Sequence, residues 1–356
     1  MMVQTMVDNP TKVYNDYVRA NLPISMSYDT NTDRYDINNH SFFKFKKANW
    51  YYNYITKYGY TAAGALAAYA ANGITPQLVA DFKSGTYGKA SALSTFDGVL
   101  EHSRASTATY VDGTGTLQTA ASGEARTDHH VWNGTAWVKE GYLHEPEAAT
   151  NLVTYSDFSS GWNGIDSGTL AIDATGPDGE TSAVTLVDNG DGGSSAVGLD
   201  ETNNIVTTST QYTFSVFAKE NELSGILLFT AAFSTPSSVG YYFDLSNGSV
   251  SDPYNGGAGL TPRIEPYGNG WYRCSITFTT DTVDTSGNLQ LYVADVSGVP
   301  TVTVTRDGTS SILIYGAQFE EGSVPTSYTP TSGSQVTRAA DILTLPIENI
   351  PYPEPV

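Results

Sequence analysis

The stretch that most constrains the fold lies near the C-terminus, from Ser311 to Glu321. Strict alternation sets Ile312, Ile314, Gly316, Gln318 and Glu320 on one face and Leu313, Tyr315, Ala317, Phe319 and Glu321 on the other. Both faces carry apolar side chains, so both are at least partly covered, as in an inner strand of a sandwich. Such a strand needs neighbours to pair with and layers to cover it. Beyond it, Pro325 and Pro330 mark a turn-rich, extended tail.

The chain upstream supplies the neighbours. Strand-type runs occur at 181–188, 211–219, 226–233, 239–245, 263–266, 271–279, 289–296 and 312–319. Asn-Gly, Asp-Gly and Gly-Gly pairs separate them, which is the punctuation of an all-β sandwich or jelly roll. Tyr212, Phe214, Val216 and Ala218 share one face of their strand. Asn269-Gly270 turns the chain before Trp271, and residues 252–260 read as a Gly-rich loop.

Residues 77–150 read as a smaller β module. It holds an Asp112-Gly113 turn and an Asn133-Gly134 hairpin of type I′ between Trp132 and Trp137. Thr61–Asn72 is the best helix: Thr61 caps it, Ala fills it, and Asn72-Gly73 ends it. The expected fold is mainly β, with a β-sandwich or jelly roll at 151–345, the small β module at 77–150, and an N-terminal segment 1–76 with one short helix. Residues 346–356 form a Pro-rich tail.

Charge divides along the chain. The formal net charge is −20, yet residues 1–90 hold nine Lys or Arg against six Asp or Glu. The acidic remainder is repelled by nucleic acid and by anionic bilayers, so neither is an expected partner. The N-terminal segment is the candidate docking region. Phe42, Phe43, Phe45, Trp50, Tyr51, Tyr52 and Tyr54 crowd it. These rings either bury within an N-terminal domain or pack on a partner, since aromatics are enriched at interfaces. Cys274 is the single cysteine, so no intrachain disulfide forms. Met1–Pro10 has no apolar run, no export signal is expected, and no stretch is long and apolar enough to insert in a membrane.

Asp81-Phe82, the run Ser103–Val111, and Gly123–His129 resemble a module of the fibre and adhesion proteins of tailed bacteriophages. Gly141–Leu152 stands where those chains carry a Gly-Leu-Leu-Ile-Glu-Glu-type segment ending in Thr-Asn-Leu. His144 and Pro146 depart from that pattern. Tyr212–Lys219, Gly268–Arg273, Tyr315–Gly322, Pro325–Thr331 and Thr337–Asp341 are similar to carbohydrate-binding-module-like jelly rolls of phage fibres. The resemblance spans about 77–345. It implies a structural protein on a tailed-phage virion surface, most simply a tail fibre or adhesion protein, with a capsid-decorating head fibre as the alternative. It also implies a homotrimer, other virion proteins and host surface polysaccharide as partners, and release by lysis.

Glycoside hydrolysis needs two carboxylates facing each other across a sugar. Glu320 and Glu321 are adjacent on a strand and point apart, and no Gly-x-Ser-x-Gly elbow occurs. The chain therefore reads as non-enzymatic, with a polysaccharide-degrading tailspike as the opposing class. Asp128, His129 and His130 form a tight cluster without ligand spacing. Asp188 and Asp191, in an oxygen-rich turn, are candidates for a structural calcium; the other reading is an Asx-type turn. No other cofactor is expected. Glycan binding needs flat aromatic faces ringed by polar groups. Trp162, Tyr241, Tyr242, Tyr254, Tyr267 and Trp271 are the candidates. Trp271 and Tyr272 are neighbours on a strand, so one of them belongs to the core. Arg338 and Asp341 read as seam residues between modules.

Overall fold

The structure, a computed structural model, describes the backbone of Met26–Asp29, Arg34–Ile37 and His40–Phe42, and residues 78–89, 92–166, 168–346 and 349. The chain forms two compact units, Met1–Glu101 with Leu343–Val356, and His102–Ile342. Within the second unit, residues 102–150 are tied to the sandwich by buried ion pairs described below.

In the first unit, Met26–Asp29, Arg34–Ile37 and His40–Phe42 form an antiparallel three-stranded sheet. Leu78–Asp81, Thr86–Lys89 and Ala92–Ser94 form another, turned by Asp81, whose Oδ1 accepts the Ser84 N–H at 3.1 Å. A single helical turn, Phe96–Val99, is capped by Thr95. The helix expected at Thr61–Asn72 and the anchor candidates Phe43, Phe45, Trp50, Tyr51, Tyr52 and Tyr54 lie outside the described residues.

The second unit is built on two six-stranded antiparallel sheets packed as a β-sandwich. In chain order the strands are β1 (Trp162–Ile165), β2 (Thr169–Thr175), β3 (Thr181–Val187), β4 (Gly198–Ile205), β5 (Gln211–Glu220), β6 (Gly225–Ala231), β7 (Val239–Asp244), β8 (Ser249–Tyr254), β9 (Thr261–Pro266), β10 (Tyr272–Thr279), β11 (Ser286–Ala294) and β12 (Ser311–Glu321). The first sheet runs β2-β3-β12-β5-β10-β9, the second β1-β4-β11-β6-β7-β8. Tyr212, Phe214, Val216 and Ala218 of β5 face Leu228, Phe243 and Leu291 across the core. Each fully buried side chain of this size contributes roughly 1.5–3 kcal/mol. Pro253 is tolerated because β8 is an edge strand.

Strict alternation fails in β12. Ile312, Ile314, Ala317 and Phe319 all lie in the inter-sheet core, although the period of two puts Ala317 and Phe319 on the other side. The cause is Gly316, at φ +61°, where the register against β5 shifts between Ser215 and Phe217. This bulge inserts one residue and swaps the faces downstream. Gln318 and Glu320 then point away from the core, and they hold the tail. Gln318 Oε1 accepts the Thr329 N–H at 2.7 Å, and Glu320 Oε1 accepts that of Thr326 at 2.8 Å. The strand lies beside the Asn151 segment, as its position in a jelly roll implies. Asn151 donates to the carbonyls of Ala317 (3.0 Å) and Thr329 (2.9 Å) and accepts from Phe319 N (3.1 Å).

The tail and residues 102–150 together cover the outer side of the first sheet. Phe217, Trp271 and Tyr328 are buried there with Val111 and Leu117, and Trp137, Tyr267, Leu313 and Tyr315 pack around them. A buried ion network fixes the cover. Asp341 accepts from Arg104 at 3.0 Å, from Arg126 at 2.5 Å and from the Glu145 N–H at 2.8 Å. Glu145 pairs in turn with Arg126 (2.8 Å) and Arg338 (3.2 Å). Arg338 and Asp341 thus sit at a seam. Burial works to raise the pKa of both carboxyls, but the surrounding cations and N–H groups outweigh it, and both are held below their ordinary values. The Asn133-Gly134 hairpin joins Trp132 to Trp137 through four residues. Asn133 Oδ1 accepts the N–H groups of Thr135 and Ala136, both at 2.9 Å, so a side chain closes this loop in place of the two-residue type I′ turn.

Candidate functional site

Among the described residues, no such cover lies on the outer side of the second sheet. Cross-strand register lines up one residue from each of its six strands: Asn163, Asp200, Gln290, Phe229, Gly240 and Tyr254. The row is polar at the β1 end and aromatic at the β8 end. Its partner row reads Ile165, Gly198, Tyr292, Leu227 and Tyr242. Leu227, Tyr242 and Ala294 are buried as a floor, while Phe229, Tyr254 and Tyr292 are half-buried around them. At strand spacings of about 4.8 Å, six strands present a row about 24 Å long.

The rings are set edge to face. Phe229 lies 5.6 Å from Tyr254 and 6.1 Å from Tyr292, with interplanar angles of 78° and 90°. Two glycines make room for them. A Cβ on Gly198 would stand 2.6 Å from the Tyr292 ring, and one on Gly240 would stand 2.8 Å from Leu227 and 3.2 Å from Phe229.

The polar half is a chain of donors and acceptors. Tyr292 donates its hydroxyl to Gln290 Oε1 at 2.6 Å, and Asn288 Nδ2 donates to Asp200 Oδ2 at 3.4 Å. Asp200 Oδ1 is enclosed and makes no hydrogen bond. Burial raises the Asp200 pKa, with Gln290 and Asn288 pulling the other way. Burial, helped by Asp200, pushes the Tyr292 phenol up to about 12. Glu201, next on β4, points to the opposite face as strand geometry requires, so it cannot join Asp200 as a hydrolytic pair. It is buried, Oε2 has no partner, and burial pushes its pKa up to about 7 with the Asp200 charge adding to the shift.

Of the aromatic candidates named from sequence, Tyr242 and Tyr254 come together here. Tyr241 points the other way and packs on the inter-sheet core. Trp162 also packs on that core, 5.0 Å from Phe158, and its indole N–H donates to the Tyr155 carbonyl at 3.0 Å. Trp271 is 1% exposed under the cover of the first sheet, and Tyr267 packs there against Phe217 at 4.8 Å. Burial leaves Trp271 no ring face for a ligand. Trp271 and Tyr272 are both at least partly buried on opposite faces, because both faces of β10 are covered.

The oxygens at the calcium candidates have protein partners. Asp188 accepts N–H groups from Gly190 (2.7 Å), Gly308 (2.7 Å) and Ser310 (2.9 Å), while Asp191 pairs with Arg306 at 3.0 Å. The Gly190 bond closes an Asx-type turn, while the Gly308 and Ser310 bonds and the Arg306 pair tie that turn to the segment before β12. Among the described residues, no group of three His, Cys, Asp or Glu side chains is placed to hold a metal ion. Asp128 pairs with Lys139 at 2.9 Å. Cys274 is buried in the core, where desolvation raises its pKa.

Asp200, Phe229, Gln290 and Tyr292 are site residues that the sequence search missed. One signal was present. In Leu289–Val293 the leucines and Val293 alternate inward, which sends Gln290 and Tyr292 outward together.

The fold defines an all-β sandwich of jelly-roll type. No protein-family model matches the chain, and no curated protein matches it. Solved structures similar to it include the CBM22-1–GH10 modules of a Clostridium thermocellum endo-1,4-β-D-xylanase complexed with xylohexaose, at 14% identity and TM-score 0.28, covering 52% of this chain and 30% of that one. The enzymatically active domain of a bacteriophage CBA120 tailspike is similar at 12% identity and TM-score 0.29, covering 48% and 21%. The CBM22-1 xylan-binding domain of a Paenibacillus barcinonensis protein is similar at 10% identity and TM-score 0.27, covering 51% and 99%. This chain thus spans less than a third of the first two. At these TM-scores the architecture rests on the strand order described above, and the site on its own geometry.

Proposed function

We propose that this chain is a non-enzymatic glycan-binding protein of a tailed-phage virion, a tail fibre or adhesion protein. It docks on other virion proteins through residues 1–76, assembles as a homotrimer, and turns the open face of its second sheet to host surface polysaccharide. One observation carries the glycan reading: a row of side chains across six strands that joins half-buried aromatic rings to a carboxylate and two amides. Sugar rings offer C–H faces that stack on aromatic rings, and hydroxyls that hydrogen-bond to carboxylate and amide groups. The sequence motifs over 77–345 support the virion setting. The divergence of Asp200 and Glu201 supports binding without hydrolysis.

The test uses the full chain on immobilised polysaccharides from candidate hosts. The wild type is retained on at least one, releases no reducing ends, and loses retention when Phe229 and Tyr254 are both changed to Ala with melting still cooperative. Undiminished retention of that double variant would remove the site from this face.

A further inference from the structure

Resting on the glycan reading above, we infer that this face selects non-acidic glycans, and that Asp200 is the residue that sets the preference. Four observations carry the inference. First, the two rows that make the face hold one ionisable carboxylate, Asp200, and no Lys, Arg or His. Sites that take uronates, sialates or phosphate esters supply a cation or a cluster of free N–H groups, and bidentate Arg is the usual device. Neither row has one. Second, Asp200 Oδ1 is enclosed and has no donor. A buried carboxylate oxygen without a partner is costly, and a donor brought by a ligand relieves that cost. A sugar hydroxyl is such a donor; a second carboxylate is not. Third, the groups around it extend the same preference. Gln290 accepts from the Tyr292 hydroxyl and Asn288 donates to the Asp200 carboxylate, so the amides are oriented without a cation from either row. Fourth, the field around the face has the same sign. Asp166 and Asp200 both act on Tyr292 to raise its pKa, and the chain as a whole carries −20. Bringing an anionic sugar to this row places like charges together in a partly desolvated setting, which weakens its binding.

The geometry also orders the ligand. The aromatic end of the row, Phe229 and Tyr254, stacks on sugar faces but reads no charge. Discrimination resides at the Asp200 end, about four strand spacings from Tyr254, or roughly 19 Å. The site therefore engages an oligosaccharide across the strands rather than one sugar, with stacking and hydroxyl recognition on different residues of that glycan.

The experiment is an array carrying neutral oligosaccharides beside oligosaccharides that bear uronate, sialate or phosphate groups, probed with the full chain. Neutral glycans are retained at least about tenfold better than acidic ones of the same length, equivalent to about 1.4 kcal/mol. Asp200→Asn keeps the size and removes the charge. It narrows that ratio, weakening the neutral glycan and raising the acidic one, with the thermal midpoint as a check that the sheet is intact. Raising salt from 50 to 500 mM leaves wild-type neutral binding unchanged, since no ion pair contributes. Preferential retention of an acidic glycan that Phe229→Ala abolishes would keep the face as the binding site and overturn the inference. An unchanged ratio in Asp200→Asn would overturn the role of Asp200. Absence of all retention would overturn both the inference and the glycan reading.

Discussion

The two outer faces of the sandwich are built from the same materials and put to different ends. Each carries a patch of aromatic rings on an antiparallel sheet. Over the first sheet the chain lays its own tail and residues 102–150, burying Phe217, Trp271 and Tyr328. Over the second it lays little, with Val296 and Val302 packing on one side of the patch, and Phe229, Tyr254 and Tyr292 stay half-buried. Burial pushes the phenols of Tyr315 and Tyr328 well up on the covered side. An aromatic patch is therefore not a functional signal by itself. What distinguishes a packing surface from a recognition surface is whether the chain brings its own cover.

The contrast is open to direct attack, beginning where the effect is largest. Trp271→Ala empties the middle of the covered face and costs about 3–5 kcal/mol in urea unfolding, while folded protein still binds glycan. Asp341→Asn unpicks the network that fixes the cover. Arg104 and Arg126 lose a buried anion, and about 3 kcal/mol is expected to go with it. The same network gives a pH dependence. Asp341 and Glu145 titrate below their unfolded values, so their contribution is present above about pH 4 and is lost as pH falls through the folded values. Melting followed from pH 6 down to pH 2 checks it, and a flat profile would mean the ion pairs add nothing.

Glu201 has the opposite sign. Its folded pKa is raised to about 7, so its stabilising share is complete below about pH 4 and is lost as pH rises towards 7. Glu201→Gln should stabilise the protein by up to roughly 3 kcal/mol at pH 8 and change little at pH 4. The smallest stability effect belongs to the open face. Phe229→Ala should cost about 1–2 kcal/mol, because a half-buried ring loses less than a buried one, yet it should abolish glycan retention. If it destabilises as much as Trp271→Ala does, the two faces do not differ in the way described.

The sequence read well where burial enforces alternation. The inner strands around 211–219, 271–279 and 312–319 are nearly where their patterns put them. The strands that went unread are β1, β2, β4 and β8. β4 alternates poorly because Glu201 occupies an inward position that pattern reading reserves for an apolar residue. β8 contains Pro253, which demotes a strand in any sequence reading, and so Tyr254 was placed in a loop. Three of these four strands carry the candidate site, at Asn163, Asp200 and Tyr254. Recognition residues stood outside the legible pattern because an open face asks no apolar period of its strands. The face switch in β12 hid for another reason: one glycine with φ +61° moves Ala317 and Phe319 inward, and a period of two has no place for the extra residue.

One small ribbon has a further consequence. Ala149–Asn151 pairs antiparallel with Val336–Arg338, so the polypeptide enters and leaves the sandwich side by side. Closely spaced ends are the geometry that tolerates insertion, yet Val111 and Leu117, outside the stem, still bury Phe217 and Trp271 within it. An exchange at this stem therefore has to carry residues 102–150 and Asp341 with the sandwich, because Val111, Leu117 and the Asp341 ion pairs close the outer side of its first sheet.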